Sequence, residues 1–236
     1  MSLFAVGDSH CSFFEQAGLM KSHWMGPTHT ATIYQLLKRD LDIYNLQQAL
    51  AVSDHYLNIG VPEWKCPSGK YDTVNIKESD TVIFCYGFND MQKNIHKYAA
   101  DSYEIEISQL LNSYILRLKD YETKYKIECI PCSITPNPLP KILDAPGEHA
   151  FGMSGDFQTT GTSEDRLKYN IFANRVLEGL CITHNLKFLN LYNEISDNDG
   201  FLKKEYSADY IHLDPVNNTL VKRINEILLS TLTYTI

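Results

Sequence analysis

Three observations predict an α/β fold, a parallel sheet covered by helices on both faces. Short apolar runs of strand length alternate along the whole chain with longer stretches of helical spacing. The most apolar run, "DTVIFCYG" at Asp80–Gly87, is continuous and follows a polar turn, as in a strand buried on both faces of a parallel sheet. With 236 residues, 44% hydrophobic and 21% charged, the chain has enough apolar material for one full core and shows no linker-like break. A single domain over residues 1–236 is therefore expected, without internal repeats or low-complexity tracts.

The elements follow in order. "LFAV" at Leu3–Val6 is a short strand, and "CSFFEQAGL" after it is helix-like. "KSHWM" at Lys21–Met25 is the second strand, and Gly26-Pro27-Thr28 opens a helix through "TATIYQLLKR". A weakly patterned region follows, with "LQQALAV" of helical composition and "VPEWKCPSGKYD" a loop. After the Asp80–Gly87 strand, Ile107, Leu110, Leu111, Tyr114 and Leu118 mark a helix from roughly Ser102 to Tyr121. "KIECIPCSI" is the fourth strand, and a helix from about Glu164 to His184 takes Thr162 or Ser163 as its N-cap. "KFLNLY" is the fifth strand. A last helix is expected to start at Asp214-Pro215, with Leu220, Ile224, Ile227 and Leu228 as its apolar face.

Composition removes several function classes. A net charge of -8 disfavours a nucleic-acid backbone as partner and fits a neutral or cationic substrate. No apolar run approaches a membrane span, and the N-terminus lacks the basic and long apolar regions of a signal peptide. The expected location is the cytoplasm, with a virion or export by another route as the alternatives. Of the six cysteines, Cys129 and Cys132 form a C-x-x-C. It lies inside a strand-like run with no second ligand pair, so core cysteines are expected rather than a metal or redox site.

Functional groups of parallel α/β folds collect at the carboxyl ends of the strands. Asp8, Ser9 and His10 fall at the end of the first strand, Gly26 after the second, and Gly87-Phe88-Asn89-Asp90 after the third. The loop "SADYIHLDP" before the last helix holds Asp209 and His212. Their chemistry is complementary. A serine hydroxyl needs a base, and His212 is of the right type for Ser9. Asp209 could orient the imidazole through its second nitrogen. The backbone N–H groups of Ser9 and Gly26 and the amide of Asn89 are donors suited to a developing oxyanion.

In these blocks the chain resembles the SGNH (GDSL-like) hydrolases. The carrying residues are Gly7-Asp8-Ser9, Gly87-x-Asn89-Asp90 and Asp209-x-x-His212, with Gly26 as the second-block glycine and Gly60 in "LNIGVPE" as its alternative. The resemblance implies a flavodoxin-like three-layer α/β/α sandwich with a five-stranded parallel sheet. It implies no metal and no cofactor, and ester hydrolysis or acyl transfer through a serine-bound intermediate. The first block reads G-D-S-H where many relatives have leucine. That version resembles a branch of bacterial and viral proteins linked to surface glycans, and so suggests an O-acetyl ester on a carbohydrate. The expected partner is an acylated small molecule or glycan. An O-acyltransferase on glycans and a non-catalytic glycan-binding module that kept the fold are the alternative readings, while oligomeric state has no signature.

Supporting roles are expected for the remaining motif residues. Asp8 is expected to accept backbone N–H bonds and shape the Ser9 turn, and Asp90 to hold the Asn89 loop. Two roles are open for His10: a second catalytic or substrate-binding imidazole, or a hydrogen bond that orders the loop. His29, His55 and His96 lie near cleft loops but read as structural or solvated, and His23 and His184 as ordinary. Most of the 15 tyrosines fit core and surface packing, with sugar stacking as a further use. The long Gly- and Pro-bearing segment from Asn137 to Ser163 leaves a strand end, where it is either a cover over the cleft or a surface insertion.

Overall fold

The computed structural model describes residues 2–24, 32–38, 76–99, 102–138, 161–207 and 211–234. The sequence-predicted residues Gly26, His29, His55, Gly60, Cys66 and Asp209, and most of the 137–163 segment, lie outside them.

Strand β1 (Leu3–Gly7) sits between β2 (Lys21–Trp24) and β3 (Thr81–Cys85), and β4 (Glu128–Pro131) follows β3. All pairs are parallel, with Gly7 opposite Trp24 on one side and Cys85 on the other. Alternate side chains serve two different cores. Phe4, Val6, Val82, Phe84 and Cys129 face one side, whereas Ala5, Ile83, Cys85, Ile130 and Cys132 face the other.

The first face is covered by α2 (Ile33–Lys38), α4 (Tyr103–Tyr125) and α5 (Ser163–Thr183), after a short α3 (Ile95–Tyr98). The second is covered by α1 (Ser12–Gln16), a short α6 (Tyr192–Ile195) and α7 (Asn218–Thr233). This is the expected three-layer sandwich. The C-x-x-C is structural: Cys129 and Cys132 are an odd number of residues apart, so they enter opposite cores, and both thiols are free. Among the described residues no cluster of side chains could hold a metal ion, and no helix is long and apolar enough to cross a membrane.

Two expectations need correction. Among the described residues the sheet has four strands, not five. The "KFLNLY" run does lie beside β4, where Leu189 N–H donates to Pro131 O (2.9 Å) and Ser133 N–H to Leu189 O (3.0 Å). The ladder stops there because Ser133 Oγ, not a backbone carbonyl, takes the Leu191 N–H (2.9 Å) and the chain turns into α6 at Tyr192. The last helix also starts later than Asp214-Pro215. Asp214 closes a turn by accepting from Val216 N–H (3.1 Å), and Asn217 is the N-cap, accepting from Leu220 N–H (3.1 Å). Both are good capping types, and the turn took the first of them. By contrast, Thr162 caps α5 as expected, in a reciprocal capping box with Asp165.

Candidate active site

The carboxyl end of β1 is built around a close approach. A Cβ on Gly7 would lie 1.9 Å from Cys85 O, so only glycine lets β1 and β3 continue together to this point. Asp8 N–H donates to that same Cys85 O (2.9 Å), and the chain then leaves the sheet in a 3-10 turn at Ser9–Cys11. The Asp8 carboxyl, buried beneath the turn, accepts from His10 N–H (3.1 Å) and also from the backbone of Phe88. Ser12 Oγ donates to Ser9 O (2.7 Å) and closes the turn from the other side. Asp8 therefore shapes the turn as its residue type suggested. It also ties the turn to the segment after β3. Burial, helped by the nearby Asp90 carboxylate, pushes its carboxyl up from an ordinary 3.8 to about 8.

The second motif segment starts at Gly87, whose φ is +111 and whose Cβ would meet Ile134 Cδ1 at 2.7 Å. Phe88 follows, then half-buried Asn89, then a π-helical turn at Asp90–Asn94. Asp90 is buried and its carboxylate accepts from Ile33 N–H (2.8 Å) and Tyr34 N–H (3.4 Å), the first N–H groups of α2. Asp90 thus ties this turn to a separate helix.

His212 approaches from the opposite side. Its loop is closed at the base by an antiparallel bridge between Ser207 and Leu213, by Ser207 Oγ donating to His212 O (3.2 Å) and by Asp214 N–H donating to Tyr206 O (2.9 Å). His212 Nε2 lies 2.8 Å from Ser9 Oγ, across 203 residues of sequence. The His10 ring is buried between Phe88 (centroids 4.3 Å apart) and His212 (4.9 Å). Sequence reasoning singled out His10 but not Phe88, which occupies the unspecified position of the G-x-N-D block and carried no signal of its own. His96 is placed away from these residues, its Nδ1 3.3 Å from Tyr169 Oη, and His184 ends α5.

Behind the Ser9 turn lies a cavity of about 20 Å³, enough for one water, with Asp8, His10, Phe88, Cys85, Cys132 and Leu213 in its wall. The Cys85 thiol is hydrogen-bonded to Cys132, and this contact together with burial pushes its pKa up, so it stays an inert wall group. Beyond it, the start of the 137–163 segment is firmly held. Asn170 Nδ2 donates to Thr135 O (2.8 Å), Leu202 N–H to Asn137 O (2.8 Å), and the Gln92 amide to the Asn137 side chain.

No protein-family model matches the chain, and no curated protein does. Solved structures do match over nearly its whole length. A candidate platelet activating factor from Streptococcus pneumonia is similar with a TM-score of 0.52 at 15% identity, covering 97% of this chain and 83% of that one. A candidate acylhydrolase from Bacteroides fragilis has a TM-score of 0.50 at 14% identity, covering 98% and 85%. The OSK domain of Drosophila Oskar has 0.51 at 11% identity, covering 98% and 88%. Together with the parallel strand order, these likenesses show the fold class: the chain shares the three-layer α/β/α fold of these proteins.

Proposed function

We propose that this protein is a serine esterase that cleaves an acyl ester, with an O-acetyl group on a carbohydrate as its substrate. The observation that carries the reading is the 2.8 Å contact between Ser9 Oγ and His212 Nε2 at the carboxyl end of β1. With Nε2 unprotonated, His212 accepts the hydroxyl proton as Ser9 Oγ attacks the acyl carbon. The tetrahedral oxyanion is assigned to the Ser9 N–H, the Asn89 amide and, from the motif order alone, the N–H of the second-block glycine (Gly26, or Gly60 as its alternative), donors worth several kcal/mol in such sites. The imidazolium then protonates the leaving alcohol, the C–O bond to it breaks, and the acyl group remains on Ser9. Water attacks in turn, gives its proton to His212, and releases the acid as Ser9 recovers its hydrogen. Asp209 is assigned to the second imidazole nitrogen on its three-residue spacing from His212. The carbohydrate end of the proposal rests on the G-D-S-H resemblance, and the net charge of -8 is compatible with a neutral or cationic substrate.

The test is hydrolysis of p-nitrophenyl acetate by the wild type and by Ser9→Ala, followed by acetate release from acetylated oligosaccharides. Loss of roughly 10⁴-fold in kcat for the variant supports the nucleophile. Equal rates in both proteins would remove Ser9 from the reaction.

A further inference from the structure

The acyl-transfer steps use Asn89 but leave the acid beside it without a task. Asp90 is fully buried, and its carboxylate is surrounded by donors: Ile33 N–H (2.8 Å), Tyr34 N–H (3.4 Å) and Asn94 Nδ2 (3.3 Å). The first two are helix N-terminal groups that α2 cannot satisfy internally, and the helix dipole there favours negative charge. The far end of the tie is itself fixed. Ile33 and Leu36 are buried in the first core, and the Tyr34 hydroxyl donates to Glu106 of α4. The turn that presents Asn89 is therefore held by an element other than the strand it grew from.

We propose that Asp90 is a positioning residue that holds Asn89 at the oxyanion site, and that only its carboxylate form does so. This rests on the serine-esterase reading above. A carboxylate accepts from all three donors, whereas a protonated acid turns an O–H toward groups that are donors themselves, and the tie loosens. Burial pushes Asp90 up to about 6, which brings this event into a measurable range. The groups facing it are the Asp8 carboxyl from the end of β1, the Tyr34 phenol from α2, and Glu106 of α4 behind that phenol. Asp8 is held protonated up to about 8 and Tyr34 is shifted upward, so neither changes charge on the acid side.

Protonation of Asp90 therefore brings a loss of activity of its own on the acid side. The plot of log kcat/KM against pH for p-nitrophenyl acetate should fall more steeply for the wild type than for Asp90→Asn below about pH 6, with near-UV circular dichroism confirming that the chain stays folded. Asp90→Asn places an amide NH₂ among the donors and so mimics the loosened state at every pH. It should lower kcat about 10- to 100-fold, leave KM within about threefold, and remove the extra steepness. Asn94→Ala, a milder change, removes one donor and should move the onset of the extra steepness to higher pH. A folded wild type no steeper than Asp90→Asn down to about pH 5, or Asp90→Asn with wild-type kcat, overturns the proposal. Hydrolysis that proves independent of Ser9 removes the esterase reading and this proposal with it; Ser9-dependent hydrolysis without the extra steepness removes the proposal alone.

Discussion

Ser9 and His212 meet at 2.8 Å, yet the two segments that bring them together are anchored in opposite ways. Ser9 follows a central strand with neighbours on both sides, and the turn around it is tied by Asp8 N–H to Cys85 O, by His10 N–H to Asp8, and by Ser12 to Ser9 O. His212 lies outside the sheet, and among the described residues its segment is closed by the Ser207–Leu213 bridge and local hydrogen bonds, beside buried Leu213. The nucleophile inherits its place from the sheet. The base takes its place from contacts between the Tyr206–Ser207 and His212–Asp214 ends of its segment. Damage on the Ser9 side should therefore appear as lost stability, and damage on the His212 side as lost turnover.

The largest expected effect joins the two sides. His212→Ala should lower kcat by roughly 10⁴-fold, and Ser9→Ala/His212→Ala should be little worse, because the pair acts as a unit. Additive losses in a pre-steady-state assay would separate the two residues. Gly7→Ala comes next. Its Cβ meets the backbone of β3 at 1.9 Å, so about 3 kcal/mol or more of stability should be lost in urea unfolding. The matched control is Gly18→Ala, with φ +70 and no atom within 4 Å of the added Cβ, where only backbone strain of about 1 kcal/mol applies. Equal losses in the two variants would contradict the sheet-borne anchoring of Ser9.

Asp8 gives a pH-dependent version of the same comparison. Its folded-state pKa is raised from 3.8 to about 8, so between these values the folded chain binds more protons than the unfolded one. Its contribution to stability is full below the lower value and is lost as pH rises through the upper one, at roughly 1 kcal/mol per pH unit. Asp8→Asn, which resembles the protonated acid, should flatten that decline in denaturant titrations from about pH 5 to about pH 8. An unchanged slope would mean the decline comes from other groups. The smallest effect belongs to the contacts that close the His212 segment. Ser207→Ala removes the hydroxyl bond to His212 O and should cost about 1 kcal/mol or less in thermal unfolding while reducing kcat several-fold. A change in KM alone would place Ser207 outside the positioning of the base.

Much of this site was legible before any coordinates, for a physical reason. A parallel strand buried on both faces leaves a continuous apolar run, and the residues directly after it must lie at the strand's carboxyl end. That logic located Asp8, Ser9, His10, Asn89 and Asp90. The errors fall where two local options of similar strength compete. Asp214 and Asn217 are both capping types, and a turn claimed the first. "KFLNLY" has strand composition, but Ser133 Oγ takes the Leu191 N–H and ends the ladder.

By itself the sequence determined the layered α/β class with helices on both faces of the sheet, the strand-end motifs, and an N-cap at Thr162 or Ser163. These depend on patterns within a few residues, where side-chain type and spacing fully specify the preference. Only the tertiary structure decided that His212 reaches Ser9, that Asp90 reaches the start of α2, and that the His10 ring packs between Phe88 and His212. Those contacts join residues far apart in the chain. Their distances follow from how the helices pack across the sheet, which no local period records.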